Sequence, residues 1–451
     1  MEYKIFGCKV NKYYTDKWLN SERLKDEKGI FIASCVVTDN AKRKWLKFVK
    51  DTFKTLESDK KMFISWCGAF KDWRAQEDFF ELYPELLDFR ERIIVLWEDP
   101  NEVDTSLSSE KVQSVTQKQI SKSKIKNISS KLSGIYTKKF ILIQWWCDSF
   151  CTFCLTVIKR WRHFSRSKED ILEEILDFEK TWWKEVVLTW INLSAWWLDT
   201  TNPVYSKNPP PSEGGARCGV ESRLAELLQY LLDNSSIARM RISSMWPEFI
   251  DDRCFEVFAN TRIYPHFHYS IQSGSTSVLK NMKRHYNWEY MRDILKKTLA
   301  IKRKDWVSIS IWADIIVWFP WESEQDFDQT LDLVKNYWIT KLHAFPFSAH
   351  EMWESVPAWE MKNQLDWKIK KQRMKILLDE WETTRENFID SQKWKNLEVL
   401  IEVVSPILDK EGARGWSWKW WTQNYIEANS DNFEILSGEI KKNSIVMWKL
   451  K

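Results

Sequence analysis

Three cysteines lie close together in the sequence and could bind one metal cluster. Cys147, Cys151 and Cys154 form a C-x3-C-x2-C pattern within CDSFCTFC, directly after a predicted β-strand. Thiolates at this spacing can each bind one iron of a four-iron cluster and leave the fourth iron open to another ligand. A structural zinc site would need a further cysteine or histidine nearby, and no histidine lies within eight residues of the run. The pattern therefore predicts an iron–sulfur cluster with an open iron.

Three other cysteines, Cys8, Cys35 and Cys67, are far apart in the sequence but occupy equivalent places in it. Each directly follows a short apolar run that is predicted to be a β-strand. The carboxyl ends of parallel strands share one edge of a sheet, and ligands bind at that edge. The three thiols can therefore converge on a second cluster. The alternative interpretation is three separate cysteines buried in the core, the role that we also predict for Cys254.

The elements that would position these cysteines alternate between strands and helices. Over the amino-terminal part of the chain, this alternation predicts a parallel, doubly wound α/β sheet. Six further strand–helix units predict a barrel-like or partial-barrel sheet, in which the loops that follow the strands carry the chemistry. The last segment returns to β patterning and predicts a small β-barrel. The predicted boundaries are 1–101 for the first domain, 102–134 for a linker, 135–362 for the partial barrel, 363–395 for a connecting helix and 396–451 for the terminal β-barrel.

Composition excludes several classes of protein. The 451 residues include 68 Lys+Arg and 64 Asp+Glu, and the resulting net charge of +4 does not indicate a strongly basic coat for nucleic acid. Hydrophobic residues make up 44% of the chain, too many for a disordered protein. No apolar run approaches the roughly 20 residues of a transmembrane helix. The chain also begins without the apolar core of a signal peptide. We therefore expect a cytoplasmic protein without a membrane partner.

Polar residues near the ends of the barrel strands are candidates for a ligand pocket. They are Asn192, Arg241, Gln272 and Asp314. Polar groups that converge in a mostly apolar pocket fix the orientation of a ligand, so we predict that these four bind a cofactor. The alternative for each is a hydrogen-bonded structural role. The six histidines show no metal-ligand spacing, and we expect His266 and His268 to pack or to line the pocket.

Several motifs match those of one known family. The matching stretches are GCKVN (7–11), SCVVTDNAKRK (34–44), CDSFCTFC (147–154), EVVLTWIN (185–192), RISSMWPEFID (241–251), HFHYSIQSGSTSVLKNMKRHY (266–286), ADIIVWFPWE (313–322) and LHAFPFS (342–348). Through them the chain resembles the radical S-adenosylmethionine (SAM) methylthiotransferases over nearly its full length. The resemblance implies a flavodoxin-like amino-terminal domain, a radical SAM (β/α)6 partial TIM barrel and a carboxyl-terminal TRAM β-barrel that binds RNA.

The resemblance also implies two [4Fe-4S] clusters and SAM as cofactors. The SAM-binding cluster falls on Cys147, Cys151 and Cys154, which are then catalytic. The auxiliary cluster, which holds the sulfur to be transferred, has its own ligands. These are Cys8, Cys35 and Cys67. In the implied reaction, SAM is cleaved reductively to a radical that removes hydrogen from C2 of an adenine, and a methylthio group is placed on that carbon.

The motifs GCKVN, LT-x-IN and HFHYSIQSGS are similar to one branch of the family. That branch methylthiolates N6-threonylcarbamoyladenosine at position 37 of tRNA, next to the anticodon. The implied partners are a tRNA anticodon stem-loop and an electron donor such as flavodoxin or ferredoxin. The alternatives are a methylthiotransferase that acts on isopentenyladenosine in tRNA or on a ribosomal protein, and a catalytically impaired iron–sulfur protein that binds RNA.

Tryptophan is unusually frequent and glycine unusually rare in this chain. It has 30 tryptophans and only 11 glycines, whereas about 7% glycine is usual. Trp146, Trp190, Trp318 and Trp321 stand where the related motifs have glycine, a residue that permits positive φ and close backbone approach. Our hypothesis is that many of these positions are encoded by UGA, which some lineages read as glycine and others as tryptophan. It predicts bulky indoles crowded beside the cysteine loop and at the barrel mouth.

Overall fold

The computed structural model describes most of the chain. The described residues are 1–7, 9–66, 79–96, 137–145, 147, 149–155, 164–181, 183–189, 193, 196, 223–348, 356–361, 366–402, 407–408, 414–415, 420–428, 432–441 and 443–451. The chain divides into two compact units, Met1–Ile135 and Tyr136–Lys451. The finer domain boundaries expected from the sequence stay predictions. Within the described residues, no helix is both long enough and apolar enough to cross a membrane.

Parallel strands and intervening helices form the first unit. Its elements are β1 (Glu2–Ile5), α1 (Lys9–Leu19), β2 (Gly29–Ser34), α2 (Asp39–Phe53), β3 (Lys61–Trp66), α3 (Phe79–Leu82) and β4 (Ile93–Leu96). Helix α2 begins at Thr38, whose hydroxyl accepts a hydrogen bond from the backbone N–H of Ala41. Its apolar face, which includes Trp45 and Val49, packs on Ile32 of β2 and closes the core of this unit.

The parallel α/β sheet expected for the first unit is confirmed, but its strand order differs from the flavodoxin-like expectation. The described strands run in the order β1-β2-β3-β4, and all neighbours are parallel. A flavodoxin-like sheet places its first strand between the second and the third. Here every connection moves the chain one strand in the same direction, so the described strands contain no point at which the strand order reverses.

The second unit begins with a series of strand–helix units. Its elements are β5 (Lys139–Leu142), β6 (Gln144–Trp145), β7 (Phe164–Ser165), α4 (Lys168–Glu179), β8 (Glu185–Thr189), α5 (Leu224–Asn234), β9 (Arg239–Ile242), β10 (Ser244–Met245), α6 (Asp252–Phe258), β11 (His266–Gln272), α7 (Thr276–Asn281), α8 (Trp288–Ala300), β12 (Ser310–Val317), α9 (Glu324–Asn336), β13 (Ile339–Pro346) and α10 (Trp367–Ser391). Several helices have an N-cap residue whose side chain accepts a hydrogen bond from a backbone N–H of the first turn. Examples are Ser167, Asp251 and Ser323.

Six parallel strands curve into the partial barrel that the sequence predicts. They form two sheets, β5-β8-β9 and β10-β11-β12-β13, and only Ser243 separates β9 from β10. All neighbours in both sheets are parallel. Strands β9 and β10 thus occupy one strand position, interrupted at Ser243. The apolar outer face of β11, with Phe267, Tyr269 and Ile271, is completely buried.

An antiparallel sheet forms the carboxyl-terminal part of the second unit. Its strands and a separate short pair are β14 (Asn396–Leu400), β15 (Ile407–Leu408), β16 (Arg414–Gly415), β17 (Trp420–Thr422), β18 (Glu427–Ala428), β19 (Phe433–Ser437) and β20 (Ile445–Leu450). The five-stranded sheet has the order β18-β17-β14-β20-β19. Buried residues that include Leu397, Trp420 and Trp448 form its core. The β patterning expected here is confirmed as a sheet, and its description as a TRAM barrel stays a prediction.

Several tryptophans have a backbone conformation that suits glycine. Among the described residues, ten non-glycine residues have positive φ, and five of them are tryptophan. These are Trp306 (57°), Trp318 (68°), Trp321 (72°), Trp338 (47°) and Trp394 (68°). Positive φ is a genuine outlier for a bulky side chain and is ordinary for glycine. The backbone at these five positions therefore supports the hypothesis that the natural chain has glycine there. Trp146 and Trp190 lie outside the described residues.

Candidate active site

The cysteine loop lies at the carboxyl edge of the partial barrel, directly after the first barrel strand. Cys147 and Cys151 are only 5% and 4% exposed, and Cys154 is partly buried. Trp246 and Phe249, which follow β10, pack against them. The loop therefore presents its thiols to an apolar, water-poor environment.

Hydrogen bonds made by Thr152 hold this loop against the end of helix α7. The N–H of Thr152 donates to the carbonyl of Met282 at 3.2 Å. Its hydroxyl donates to the carbonyl of Asn281 at 2.9 Å. On the other side, the N–H of Ala358 donates to the carbonyl of Thr152 at 2.8 Å. These bonds fix the centre of the loop, between the second and third cysteines, to the rest of the barrel.

The charged side chain of Arg284 contacts one of the thiols. Its Nη1 lies 3.7 Å from the Sγ of Cys151, and its guanidinium stacks 3.7 Å from the ring centroid of Trp246. Its Nη2 donates to the carbonyl of Ser270 at 2.7 Å. Arg284 belongs to the HFHYSIQSGSTSVLKNMKRHY stretch, but its residue type and spacing alone did not mark it as a site residue.

The chemistry of this donor set fits an iron–sulfur cluster. Burial raises the pKa of the Cys151 thiol to about 12, and the Arg284 charge acts in the opposite direction. A bound metal replaces the thiol proton and uses the thiolate as its ligand. A cation beside the thiolate then offsets part of the negative charge that a thiolate-bound cluster brings into an apolar site. Three thiols and one buried guanidinium therefore suit a [4Fe-4S] group at this loop.

Two of the four predicted pocket residues lie on neighbouring barrel strands. Gln272 ends β11, is 8% exposed and has a φ of 71°, a strained conformation of the kind that concentrates at functional sites. Asp314 lies on β12, and its Oδ2 accepts a hydrogen bond from the hydroxyl of Ser270 at 3.1 Å. Asn192 lies outside the described residues.

Arg241 lies in a different environment from the one expected. Its Nε donates to Glu185 at the start of β8, and its Nη1 donates to the carbonyl of Gln423 at 3.2 Å. The rings of Tyr264 and Tyr425 stack on its guanidinium at 4.4 and 4.1 Å. These contacts lie at the amino end of the barrel, and the cofactor-binding role of Arg241 stays a prediction. Arg241 lies at this end because the strand continues beyond Ser243 into β10, so Arg241 belongs to its amino-terminal half.

Glu185 and its basic partners form a buried ionic cluster at this amino end. Glu185 is completely buried, and its Oε2 lies 3.0 Å from the Nε of the equally buried Arg239. Lys138 also approaches Glu185, at 3.9 Å. Burial would raise the pKa of Glu185, but the charges of Arg241 and Arg239 lower it to about 2. The carboxylate is therefore ionised and holds the two arginines in place.

In the first unit, Cys35 lies at the predicted edge of the sheet, directly after β2. It is 3% exposed. Gly7 has a φ of 105°, and a Cβ atom there would lie 2.8 Å from the Cys35 Sγ. Asn11 donates to the carbonyls of Phe6 and Ser34 and so joins the ends of β1 and β2. The residue before Cys8 therefore lies against Cys35. Cys8 and Cys67 themselves lie outside the described residues.

Comparison with known proteins agrees with this geometry. Residues 141–334, from within β5 to within α9, match the model of the radical SAM superfamily. These residues therefore form a radical SAM domain. A [4Fe-4S] cluster and SAM are the cofactors of this superfamily, and the buried cysteine loop lies at the start of the matched residues.

The relatives of this protein fall into two groups of tRNA-modifying enzymes with different names. It is 32% identical over 267 residues to the tRNA-2-methylthio-N(6)-dimethylallyladenosine synthase of Alkaliphilus oremlandii, a match that covers 59% of this chain and 51% of the relative. It is 28% identical to the threonylcarbamoyladenosine tRNA methylthiotransferase MtaB of Rickettsia prowazekii, with 89% of this chain and 87% of the relative covered. In the first of these matches, the chain spans about half the length of the relative.

Among solved structures, the radical SAM protein matches the cobalamin-dependent S-adenosylmethionine radical enzyme OxsB with aqua-cobalamin bound. The sequence identity is 12% and the TM-score is 0.43, with 85% of this chain and 54% of that chain covered.

Proposed function

We propose that this radical SAM protein is a tRNA methylthiotransferase that acts on C2 of N6-threonylcarbamoyladenosine at position 37. The observation that carries the proposal is the buried three-cysteine loop at the carboxyl edge of a six-strand partial barrel, where Arg284 contacts one of its thiols. Relatives named for this activity match the chain along most of its length. Because the substrate is a tRNA, we place the enzyme in the cytoplasm.

In this proposal, Cys147, Cys151 and Cys154 hold the [4Fe-4S] cluster at which SAM binds. When bound, the cluster and SAM supply the radical that removes hydrogen from the substrate carbon. Arg284 offsets negative charge at Cys151 and keeps the loop fixed to the Ser270 carbonyl. The apolar wall around the thiols excludes water from the reacting groups.

The second cluster is proposed at the carboxyl edge of the first sheet, on Cys8, Cys35 and Cys67. The close approach of Gly7 to Cys35 supports this, because it brings the neighbour of Cys8 within contact distance of a second candidate ligand. This cluster would supply the sulfur, and a flavodoxin or ferredoxin would supply electrons.

The carboxyl-terminal sheet is proposed as a TRAM domain that contacts the tRNA anticodon stem-loop. Lys441 and Lys451 are exposed on this part of the chain. Cations at such positions contact phosphates, which is the sequence-independent contribution to RNA binding.

The substrate proposal rests on the motifs GCKVN and HFHYSIQSGS together with the MtaB relatives. The second candidate is isopentenyladenosine in tRNA. A specific observation favours it as well, because relatives named for the dimethylallyladenosine reaction match the chain with similar identity.

Mass spectrometry of tRNA nucleosides from a deletion strain tests the proposal. We expect loss of 2-methylthio-N6-threonylcarbamoyladenosine and accumulation of its unmethylthiolated precursor, with recovery by the wild-type gene but not by Cys151→Ala. Cys254→Ala is the matched control, because Cys254 is also a buried thiol but lies on helix α6. Loss of the methylthiolated dimethylallyl nucleoside would instead identify the second candidate, and unchanged tRNA nucleosides would refute both.

A further inference from the structure

Three side chains on neighbouring strands of the barrel interior converge in a pattern that the sequence did not reveal. His268 lies on β11, Asp314 on β12 and His343 on β13. The Nε2 of His268 lies 2.8 Å from the Oδ1 of Asp314, and the Nδ1 of His343 lies 3.1 Å from the same oxygen. The two nitrogens and one oxygen all lie within 4.8 Å of one another. We refer to these three residues as the His–Asp–His triad.

The parallel register of the sheet explains why the three residues lie together. Asp314 pairs directly with His343 across β12 and β13. His268 pairs with Trp312, two residues before Asp314 and therefore on the same face of β12. One layer of the barrel thus receives one ligand-type side chain from each of three consecutive strands. His268 and Asp314 are 46 positions apart in the sequence, and Asp314 and His343 are 29 positions apart. Sequence spacing alone therefore did not predict a metal site.

Neighbouring hydroxyl groups fix the orientation of the carboxylate. The Oδ2 of Asp314 accepts from the hydroxyls of Ser270 at 3.1 Å and Ser244 at 3.5 Å. These two hydroxyls are themselves 2.7 Å apart. They hold one oxygen of Asp314 and leave the other directed at both imidazoles. Hydrogen bonds to the second oxygen of a ligating carboxylate are typical of metal sites, where they orient the ligand.

The triad is accessible from one side. The exposed fraction of the side chain rises from 8% for His268 through 18% for Asp314 to 34% for His343. Strand β13 is the last strand of the described sheet, so the exposed side of the triad faces the open edge of the partial barrel. The rings of His268 and His343 are 5.2 Å apart at 80°, so they are not stacked, and one nitrogen of each ring contacts the same oxygen of Asp314.

We propose that the His–Asp–His triad binds one divalent first-row transition-metal ion. Two imidazoles and one carboxylate are a donor set that such ions accept while they keep coordination positions open for other ligands. The open positions would face the edge of the barrel at β13 and take an oxygen atom of a bound molecule, such as a carboxylate, carbonyl or hydroxyl oxygen. This site is separate from the cysteine ligands and does not depend on the identity of the tRNA nucleoside.

The triad is also connected to the cysteine loop. Ser270 donates to Asp314 through its hydroxyl and accepts from Arg284 through its carbonyl, and Arg284 contacts Cys151. An oxygen ligand held by the triad would therefore be positioned within the same barrel interior as the group held by the cysteines. The ion would orient a substrate there, in addition to the cluster and SAM.

Zinc binding to the holoenzyme tests this proposal. With the clusters reconstituted, iron occupies the cysteine thiolates, and Zn²⁺ can then be titrated under anaerobic conditions and measured by calorimetry and by metal analysis after dialysis. We expect about one Zn²⁺ per chain for the wild type. We expect His343→Ala and Asp314→Asn to lose this binding and Ser270→Ala to weaken it by about 10- to 100-fold, the effect typical of a residue that orients a ligand.

His266→Ala is the matched control, because His266 is on the same strand as His268 but outside the triad. We expect it to retain wild-type zinc binding. Iron content and circular dichroism identify any variant that fails to fold, and His343→Gln then provides a second, milder change that should also lose binding. Equal zinc binding by the wild type and by the folded triad variants would refute the proposal and show that the triad is only a hydrogen-bonded network. Zinc binding is measured without tRNA, so this result is independent of the nucleoside assay.

Discussion

Replacement of Trp306 and Trp394 by glycine should stabilise this protein, an unusual result for the removal of an indole. Both residues have positive φ, 57° and 68°, and both are exposed, by 88% and 69%. Little apolar area is therefore lost when these side chains are removed. The main effect of Trp306→Gly and of Trp394→Gly is to remove a Cβ atom from a left-handed conformation.

The expected magnitude follows from two opposing contributions. A side chain in the left-handed region costs roughly 1–2 kcal/mol. Glycine makes the unfolded chain more flexible, which costs about 0.4–1 kcal/mol. The net gain is then on the order of 1 kcal/mol for each variant, which raises the Tm of a unit of this size by about 2 °C. Differential scanning calorimetry of the two single variants measures it.

Trp306→Ala is the control that isolates the cause. Alanine also removes the indole but keeps the Cβ atom, so it should give no increase in Tm. If Trp306→Gly lowers the Tm as much as Trp306→Ala does, positive φ is not the source of strain and our reasoning fails. The hypothesis about the natural chain has its own test, which is mass spectrometry of the peptide around residue 306 from the source organism. A tryptophan there, or the codon UGG in the gene, would contradict it.

Three further predictions concern charges and close contacts. Arg284→Met removes the cation beside Cys151, so we expect a lower midpoint potential for the cluster in an anaerobic redox titration, and an unchanged potential would contradict the proposed role. Glu185→Gln leaves two buried arginines without their carboxylate and should lower the free energy of unfolding by about 3–5 kcal/mol in urea. Because the pKa of Glu185 is about 2 in the folded protein and about 4.3 when unfolded, its contribution is complete above about pH 4 and is lost as the pH falls toward 2; the variant should lack this decline. Gly7→Ala places a Cβ atom 2.8 Å from the Cys35 Sγ, so we expect the loss of about half the bound iron on reconstitution, and full iron content would argue against a cluster on the first sheet.

Local sequence pattern predicted the elements of this fold well wherever local preference and burial agree. The apolar runs GIFIAS at 29–34 and KMFISW at 61–66 predict strands, and β2 and β3 have those bounds. The sequence pattern predicts one helix over 247–260, but the structure has a short 3-10 turn followed by helix α6, which starts only after the N-cap residue Asp251. A side chain that bonds the backbone can thus begin a helix later than apolar periodicity suggests.

The candidate site was predictable where its residues are neighbours in the sequence. The cysteine loop is of this kind. The places of Arg284 and His343 in the site could not be predicted in this way, because their contacts with Cys151 and Asp314 arise only from the packing of α7 and the register of β12 and β13. Arg241 lies in the amino-terminal half of a longer, interrupted strand, a position that the local sequence pattern does not distinguish from a strand end.

The contacts around Tyr425 have a practical consequence for anyone who wishes to study the barrel alone. Its ring lies 4.1 Å from that of His266 and 4.4 Å from that of Trp312, and it stacks on Arg241. The carboxyl-terminal sheet thus covers the amino end of the barrel with an aromatic side chain. A truncated protein that ends before residue 396 would expose these rings and the ionic cluster around Glu185 to water, so we expect it to aggregate unless that surface is redesigned.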